Sequence, residues 1–297
     1  VLIAMAINQN SKANSNKDIY QSVTDRMIAA LEAGTVPWKS PYLGTSGLPE
    51  NFVTRKAYRG INVWLLALAG YASPFWLTFK QAQELGGYVR KGEKGSLVVK
   101  YGTFEAEDED SGEVAERMYL KGYTVFNAAQ IEGIEFPLPE KRTLPLDTCS
   151  EARRILAAMP NPPTLKHGTS TAFYSPAEDT VFMPNMEDIT SPETYFLTSF
   201  HEHCHSSGAL HRLNRKSLVE NKGMHASRQV YAEEELVAEM GAAFLGAHAG
   251  IFEDQSENSA AYLAGWLKAL KGADAKTWII RAASQAQKAA DYILGSE

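Results

Sequence analysis

Phe200-His201-Glu202-His203-Cys204-His205 carries the pattern His-Glu-x-x-His. His201 and His205 stand four residues apart, so on a helix they share a face, one turn from each other. Two imidazole nitrogens then converge on a single tetrahedral metal ion. Glu202, on the side of the same turn, stands where a metal-bound water would sit, which points to a zinc hydrolase of the peptidase kind. The spacing predicts a helix from Thr194 to His205, with Leu197, Phe200, Cys204 and Gly208 along one stripe. Ser191 followed by Pro192 and Glu193 reads as an N-cap with proline at the first helical position. A buried helix that carries two histidines and a glutamate beside an apolar stripe needs partners for them, because unpaired polar groups are costly to bury.

Two residues compete as the third ligand. His211 extends the pattern to His201-Glu202-x-x-His205-x-x-Gly208-x-x-His211, the metzincin spacing, with Met224 as its Met-turn. Glu235 lies in Tyr231-Ala-Glu-Glu-Glu-Leu-Val-Ala-Glu239-Met, a segment with helical spacing whose apolar stripe is Leu236, Met240, Ala243 and Phe244. In gluzincin-type sites such a helix supplies the carboxylate, and Glu239, four residues on, would orient a ligand histidine from behind. Glu235 is favoured, because a carboxylate beside an apolar stripe calls for a cation there. Glu233 and Glu234 are expected on a solvated face. Zn2+ is the expected ion, with Mn2+ as another divalent choice. Zinc lowers the pKa of its water to near neutrality, and Glu202 would take the water proton and pass it to the leaving amine. Tyr231, His211 and His225 are the nearby donors for a developing oxyanion, and Tyr231 shares the Glu235 face one turn earlier.

The 297 residues are 44% hydrophobic and 22% charged, which suits a globular protein of two domains or one large one. No apolar run reaches the roughly 20 residues of a membrane helix, and the N-terminal Val-Leu-Ile-Ala-Met-Ala-Ile is too short for a signal-peptide core. Of two cysteines, Cys149 and Cys204, one lies inside the metal motif. A structural disulfide is therefore not expected, and a reducing cytoplasm fits. Cys204 itself reads as a small core residue.

Charge is unevenly spread. Residues 1–104 carry 12 Lys+Arg against 6 Asp+Glu, a net of +6, whereas the remaining 193 residues carry a net of −12. The basic part interleaves aromatics with cations: Trp38-Lys39, Tyr42, Arg55-Lys56-x-Tyr58-Arg59, Phe79-Lys80, and Arg90-Lys91-x-x-Lys94. Bases stack on aromatic faces while cations track phosphates, so this composition suits single-stranded nucleic acid. Trp38, Tyr42 and Tyr58, in Pro/Gly-rich stretches, are the stacking candidates. Trp64, within an apolar run, and Trp76 read as core.

The chain is expected to be α+β: an N-terminal α/β domain, then a mainly helical domain with a small sheet. Residues 1–16 are expected to be disordered. The first domain spans 17–136, with an amphipathic helix over Asp18–Ala33, helices over Tyr58–Gly70 and Thr78–Leu85, and a strand from Ser96 paired with Tyr119–Asn127. The acidic run Glu105–Glu116 is a hairpin or loop insertion, and 137–147 is a Pro-rich linker. The second domain, 148–297, opens with a helix over Ser150–Met159. Two short strands follow within Ala172–Pro184, and helices over Glu257–Lys271 and Lys276–Leu294 close it. Val181–Met183 is the candidate edge strand for an extended substrate.

With these stretches in view, the chain resembles the ArdC antirestriction proteins of conjugative plasmids. The matching segments are Val36-Pro-Trp38, Tyr58-Arg-Gly-Ile-Asn62, Thr78-Phe-Lys-Gln81, Val89-Arg-Lys-Gly-Glu-Lys-Gly95, Val125-Phe-Asn127, Gln130-Ile-Glu-Gly133, His201–Gly208 with Arg212-Leu213, and Glu234-Glu-Leu-Val-Ala-Glu239. The resemblance implies a single-stranded-DNA-binding domain followed by a zincin-like metallopeptidase domain, with His201, His205 and Glu235 as metal ligands. It further implies protection of an entering plasmid strand from host restriction. Two alternatives are a DNA-directed protease acting on DNA-bound proteins and a DNA-coating module whose metal site is only structural.

Overall fold

The computed structural model describes residues 19–39, 48–107, 114–137, 148–219, 228–252, 260–271 and 275–296. The fold is a mixed α+β one. Helix α1 (19–32) places Val23, Met27 and Leu31, each four residues from the next, on one buried face. A five-stranded sheet follows, built from β1 (Glu50–Asn51), β2 (Lys56–Ala57), β3 (Phe75–Thr78), β5 (Ser96–Glu107) and β6 (Val114–Asn127) in the order β2-β1-β3-β6-β5. Between them run α2 (Ile61–Ala67) and α3 (Phe79–Glu84), while β4 (Tyr88–Val89) pairs with β7 (Ile131–Glu132) as a separate ribbon.

Local signals explain these boundaries. Thr78 caps α3 with a capping box: its hydroxyl accepts from the Gln81 amide, and the Gln81 side chain accepts from the Thr78 amide. Helix α2 is shorter than the expected Tyr58–Gly70, starting after Gly60 and ending at a cap on Leu68. The β5–β6 pairing runs in continuous register from Ser96↔Val125 to Glu107↔Val114, so both ends of the acidic run, 105–107 and 114–116, lie in the two strands. The outer edge of β5 is covered by a side chain. Asn62 donates to the Val99 carbonyl at 2.8 Å and accepts from the Val99 amide at 2.7 Å, completing the ladder there.

The second half has α4 (Thr148–Ala158), then a three-stranded sheet of β8 (Thr164–His167), β9 (Phe173–Ser175) and β10 (Thr180–Met183) in the order β8-β10-β9. Strand β10 pairs in parallel with β8 and antiparallel with β9. This corrects the expectation that Val181–Met183 is an edge: it is the central strand. All four residues of β8 are exposed, so no hydrophobic run announced the strand that covers it. Helices α5 (Pro192–Ser207), α6 (Lys216–Val219), α7 (Arg228–Ala249), α8 (Ala260–Leu270) and α9 (Ala275–Ile293) complete the chain.

The two halves share one core. A single cluster joins Met27 of α1 and Trp64 of α2 to Phe200 of α5, Phe244 of α7 and Trp278 of α9. Trp64 stacks on Phe244 with ring centroids 4.6 Å apart, Gly60 donates to Gln287 at 3.1 Å, and Arg59 pairs with Asp291.

Helices α5 and α7 come together at Gly241. A Cβ there would lie 2.5 Å from the Cys204 sulfur, which is fully buried and cannot retreat. Gly241→Ala is therefore expected to destabilise the fold by about 1–3 kcal/mol through overpacking. Adding Cys204→Ala removes the colliding sulfur and should recover most of the loss. Thermal denaturation of both variants checks this; a double variant no better than the single one would show that this contact does not set the helix spacing.

Candidate metal centre

Helix α5 starts where the sequence places it. The Ser191 hydroxyl accepts from the Thr194 amide at 3.1 Å, and Pro192 occupies the first turn. Its buried side holds Tyr195, Phe196, Ser199, Phe200 and Cys204, which fixes the rotation of the helix and turns His201 and His205 toward α7. Leu236, Met240 and Phe244 anchor α7 in the same core. Between the two helices, His201 Nε2 and His205 Nε2 lie 3.1 Å apart. Glu235 brings Oε2 to 3.5 Å from His201 Nε2 and Oε1 to 3.7 Å from His205 Nε2. A tetrahedral ion with bonds of about 2.0–2.2 Å sets its ligand atoms about 3.3–3.6 Å apart, so these separations fit one divalent cation. Among the described residues these three are the set whose ligand atoms all lie within 4.8 Å of one another.

The protonation of His205 is set from behind. Its Nδ1 lies 3.1 Å from Glu234 Oε1. A carboxylate can only accept, so Nδ1 carries the proton and the Nε2 lone pair faces Glu235 and His201. Glu234 was expected on a solvated face, and that reading is corrected: it is 3% exposed. The reason is Arg215, itself buried, whose guanidinium donates to Glu234 at 2.6 Å and 2.8 Å. Ser217 donates to Glu234 as well, at 2.5 Å. Burial alone would raise the Glu234 pKa, but Arg215 and His205 outweigh it and hold the carboxyl at about 2. Arg215 also donates to the Cys204 carbonyl at 2.7 Å, placing a cation at the C-terminal end of the metal helix.

The other residues divide clearly. Glu202, on the same helix, is 8% exposed. Burial pushes the His201 pKa down, but the carboxylates of Glu235, Glu239 and Glu202 together outweigh it and the net shift is upward. Glu239 raises the His201 pKa by its charge, and Glu234 holds the His205 ring. Burial likewise opposes charge on Glu235, and both histidines reverse it. Tyr231, one turn before Glu235, donates to that carboxylate; burial and the Glu235 charge push its pKa up to about 12. His203 points away, its Nδ1 donating to the Ser199 carbonyl at 2.7 Å, and burial pushes its pKa down to about 4. His211 stands outside the centre, half-exposed, 3.2 Å from Asp179. Arg212 grips the same Asp179 in a two-pronged pair at 2.7 and 2.8 Å, tying the turn after α5 to the β9–β10 turn. Met224 and His225 lie outside the described residues.

The candidate DNA contacts are scattered. Trp38 is 2% exposed and packs edge-to-face on Trp266 with centroids 5.6 Å apart, so it offers no ring face to a base. This corrects its reading as a stacking platform: a distant helix covers it. Lys39 ends a short 3-10 turn, its side chain lying outside what the structure describes, and Tyr42 lies outside the described residues. Tyr58 is half-buried against Trp76, Val98 and Val125, and burial raises its pKa. Arg55 pairs with Glu50 at 2.9 Å, and Arg59 is spent on Asp291. Lys56, Lys80, Arg90, Lys91 and Lys94 are exposed. Of these, Arg90 pairs with Glu93 at 2.7 Å and Lys80 with Glu84 at 3.5 Å. Phe79, set beside Lys80 in the reading by composition but not among its stacking candidates, has an exposed ring, as do Tyr88, Tyr101 and Tyr123.

Among the described residues no helix is long and apolar enough to cross a membrane. Two family descriptions match the chain: the N-terminal domain of anti-restriction factor ArdC over residues 17–126, and a zincin-like metallopeptidase over residues 151–285. An uncharacterized protein, y4eC, of Sinorhizobium fredii (strain NBRC 101917 / NGR234) is 38% identical over 93% of this chain and 91% of its own length. A DNA primase TraC of Escherichia coli is 36% identical over 96% of this chain, which spans only 28% of that protein. Among solved structures, the metal-free crystal structure of the antirestriction ArdC protein from plasmid R388 superposes with a TM-score of 0.74 at 42% identity, covering 93% of this chain and 96% of that one. Its Mn(II)-bound form gives 0.73 at 42% identity, covering 92% and 96%. The chain belongs to the ArdC antirestriction family.

Proposed function

We propose that the chain binds single-stranded DNA through its N-terminal half, holds a divalent cation at His201, His205 and Glu235 in a peptidase-like centre, and protects entering DNA from restriction in the bacterial cytoplasm. The observation that carries the metal half is the convergence of two imidazole nitrogens and a carboxylate from separate helices at 3.1–3.7 Å. Two imidazoles and a carboxylate suit zinc. Manganese is the second candidate, since the R388 relative has a Mn(II)-bound structure. The DNA half rests on family membership and on exposed lysines in the N-terminal part.

A cation bound there would supply a water acidified toward neutral pH. The residues of the chain do the remaining work. Glu202 accepts the proton of the attacking water and returns it to the leaving nitrogen. Glu234 keeps the His205 proton on Nδ1. Tyr231, on the exposed side, donates toward a developing oxyanion once it leaves Glu235.

Glu202→Gln separates the roles. It should retain metal and DNA binding and lower hydrolysis of a peptide substrate by about 10²–10⁴-fold. Undiminished hydrolysis would remove Glu202 from the chemistry. If the variant still protects DNA from restriction in cells, coating of the strand suffices and proteolysis serves another end.

A further inference from the structure

We infer that single-stranded DNA stacks a base on the ring of Phe79, with Lys91 and Lys94 taking the neighbouring phosphates. The inference rests on the proposed DNA-binding reading and gives it a location. Phe79, the first residue of α3, is 50% exposed, and a phenylalanine has no polar tip to hydrate. Its ring is held edge-to-face on Phe126 at 6.4 Å. Phe126 in turn pairs across the sheet with Leu77 and packs in the cluster of Leu77, Ala82 and Ile131. The exposed ring therefore sits on a rigid base, which keeps the entropic cost of stacking low.

The turn Lys91–Gly95 is drawn up against Phe126, the ring that supports Phe79. A Cβ at Gly95 would lie 3.0 Å from the Phe126 ring and would overlap the Thr124 methyl, so only glycine lets the backbone come this close. The buried Gln130 amide fastens the turn, donating to the Lys94 carbonyl and to Glu93, each at 3.0 Å. Glu93 is occupied by Arg90 and Gln130. Among the described residues no carboxylate pairs with Lys91 or Lys94, and both side chains are exposed. A fixed aromatic face, with two unneutralised cations on the turn packed against its supporting ring, suits a single strand, which offers bases to stack and phosphates to neutralise.

A second basic surface offers the natural control. On one face of the β5–β6 hairpin Lys100 stands opposite Lys121 and Tyr123 opposite Val98, with Tyr123 44% exposed. Fluorescence anisotropy of a labelled oligothymidine, titrated with the full chain over a series of salt concentrations, distinguishes the two. Phe79→Ala should weaken binding about ten-fold with an unchanged salt slope, and Phe79→Trp should restore it. Lys91→Ala with Lys94→Ala should reduce the slope of log affinity against log salt by about 1.4, or about 0.7 for each phosphate contact. Tyr123→Ala should bind as the parent does. Parent-like binding by Phe79→Ala, or an equal loss in Tyr123→Ala, would overturn the location while leaving DNA binding in place. A parent chain that does not bind the oligothymidine would overturn the underlying reading itself.

Discussion

Arg215→Met is expected to cost about 3–5 kcal/mol of stability, the largest loss from any single substitution outside the apolar core. Arg215 and Glu234 have side chains only 3% and 4% exposed. Removing the guanidinium leaves a carboxylate in the interior with Ser217 and His205 as its remaining donors. It also removes one of two side-chain donors from the Cys204 carbonyl, leaving the Ser207 hydroxyl at 2.6 Å. The double variant Arg215→Met, Glu234→Gln leaves no charge at this position and should recover much of the loss, since a neutral amide still accepts from His205 Nδ1. Chemical denaturation of the parent, Arg215→Met, Glu234→Gln and the double variant measures this. The pH dependence has a defined sign. The Glu234 pKa is depressed to about 2, so its contribution is full above the ordinary carboxylate range near pH 4.3 and is lost as pH falls toward 2. The gap between parent and Arg215→Met should narrow over that window. A gap independent of pH would show that the pair is not the origin of the loss.

Glu235→Ala should weaken divalent-metal binding by about 100-fold or more, beyond the usual effect of losing an outer partner of a ligand. The consequence is readable as stability. At a free metal concentration of about 100 times the parent Kd, the parent gains about 2.7 kcal/mol; a variant with 100-fold weaker binding gains about 0.4 kcal/mol. Thermal shift with Zn(II) and with Mn(II) resolves that difference. His211→Ala serves as the control. His211 sits on Asp179, so its removal should leave the metal-induced shift intact. If His211→Ala abolished the shift and Glu235→Ala did not, the longer histidine pattern would hold the ion instead.

The parts of this architecture that were legible in the sequence are those governed by local spacing. The four-residue step from His201 to His205 needs only a helix, and Ser191-Pro192 marks where it begins. Glu235 was legible because a carboxylate beside Leu236 and Met240 is costly without a cation. Glu234 was not legible. Its neighbours in sequence are acidic, and its burial depends on Arg215 arriving from the turn beyond the metal helix. Trp38 misled for the same reason: Pro37 beside it suggests a surface loop, whereas Trp266, more than two hundred residues later, covers its ring. Strand β8 escaped because every one of its side chains is exposed, and with it went the central place of β10. In each case the missing information is a pairing between residues far apart in sequence, which periodicity does not carry.

The most direct measurement is an anomalous-scattering map from crystals grown with Mn(II) or Zn(II). A single peak bonded to His201 Nε2, His205 Nε2 and the Glu235 carboxylate, with Glu234 still holding His205 Nδ1, is the expected result. A peak bonded to His211 and Asp179, with Glu235 turned to solvent, would contradict it.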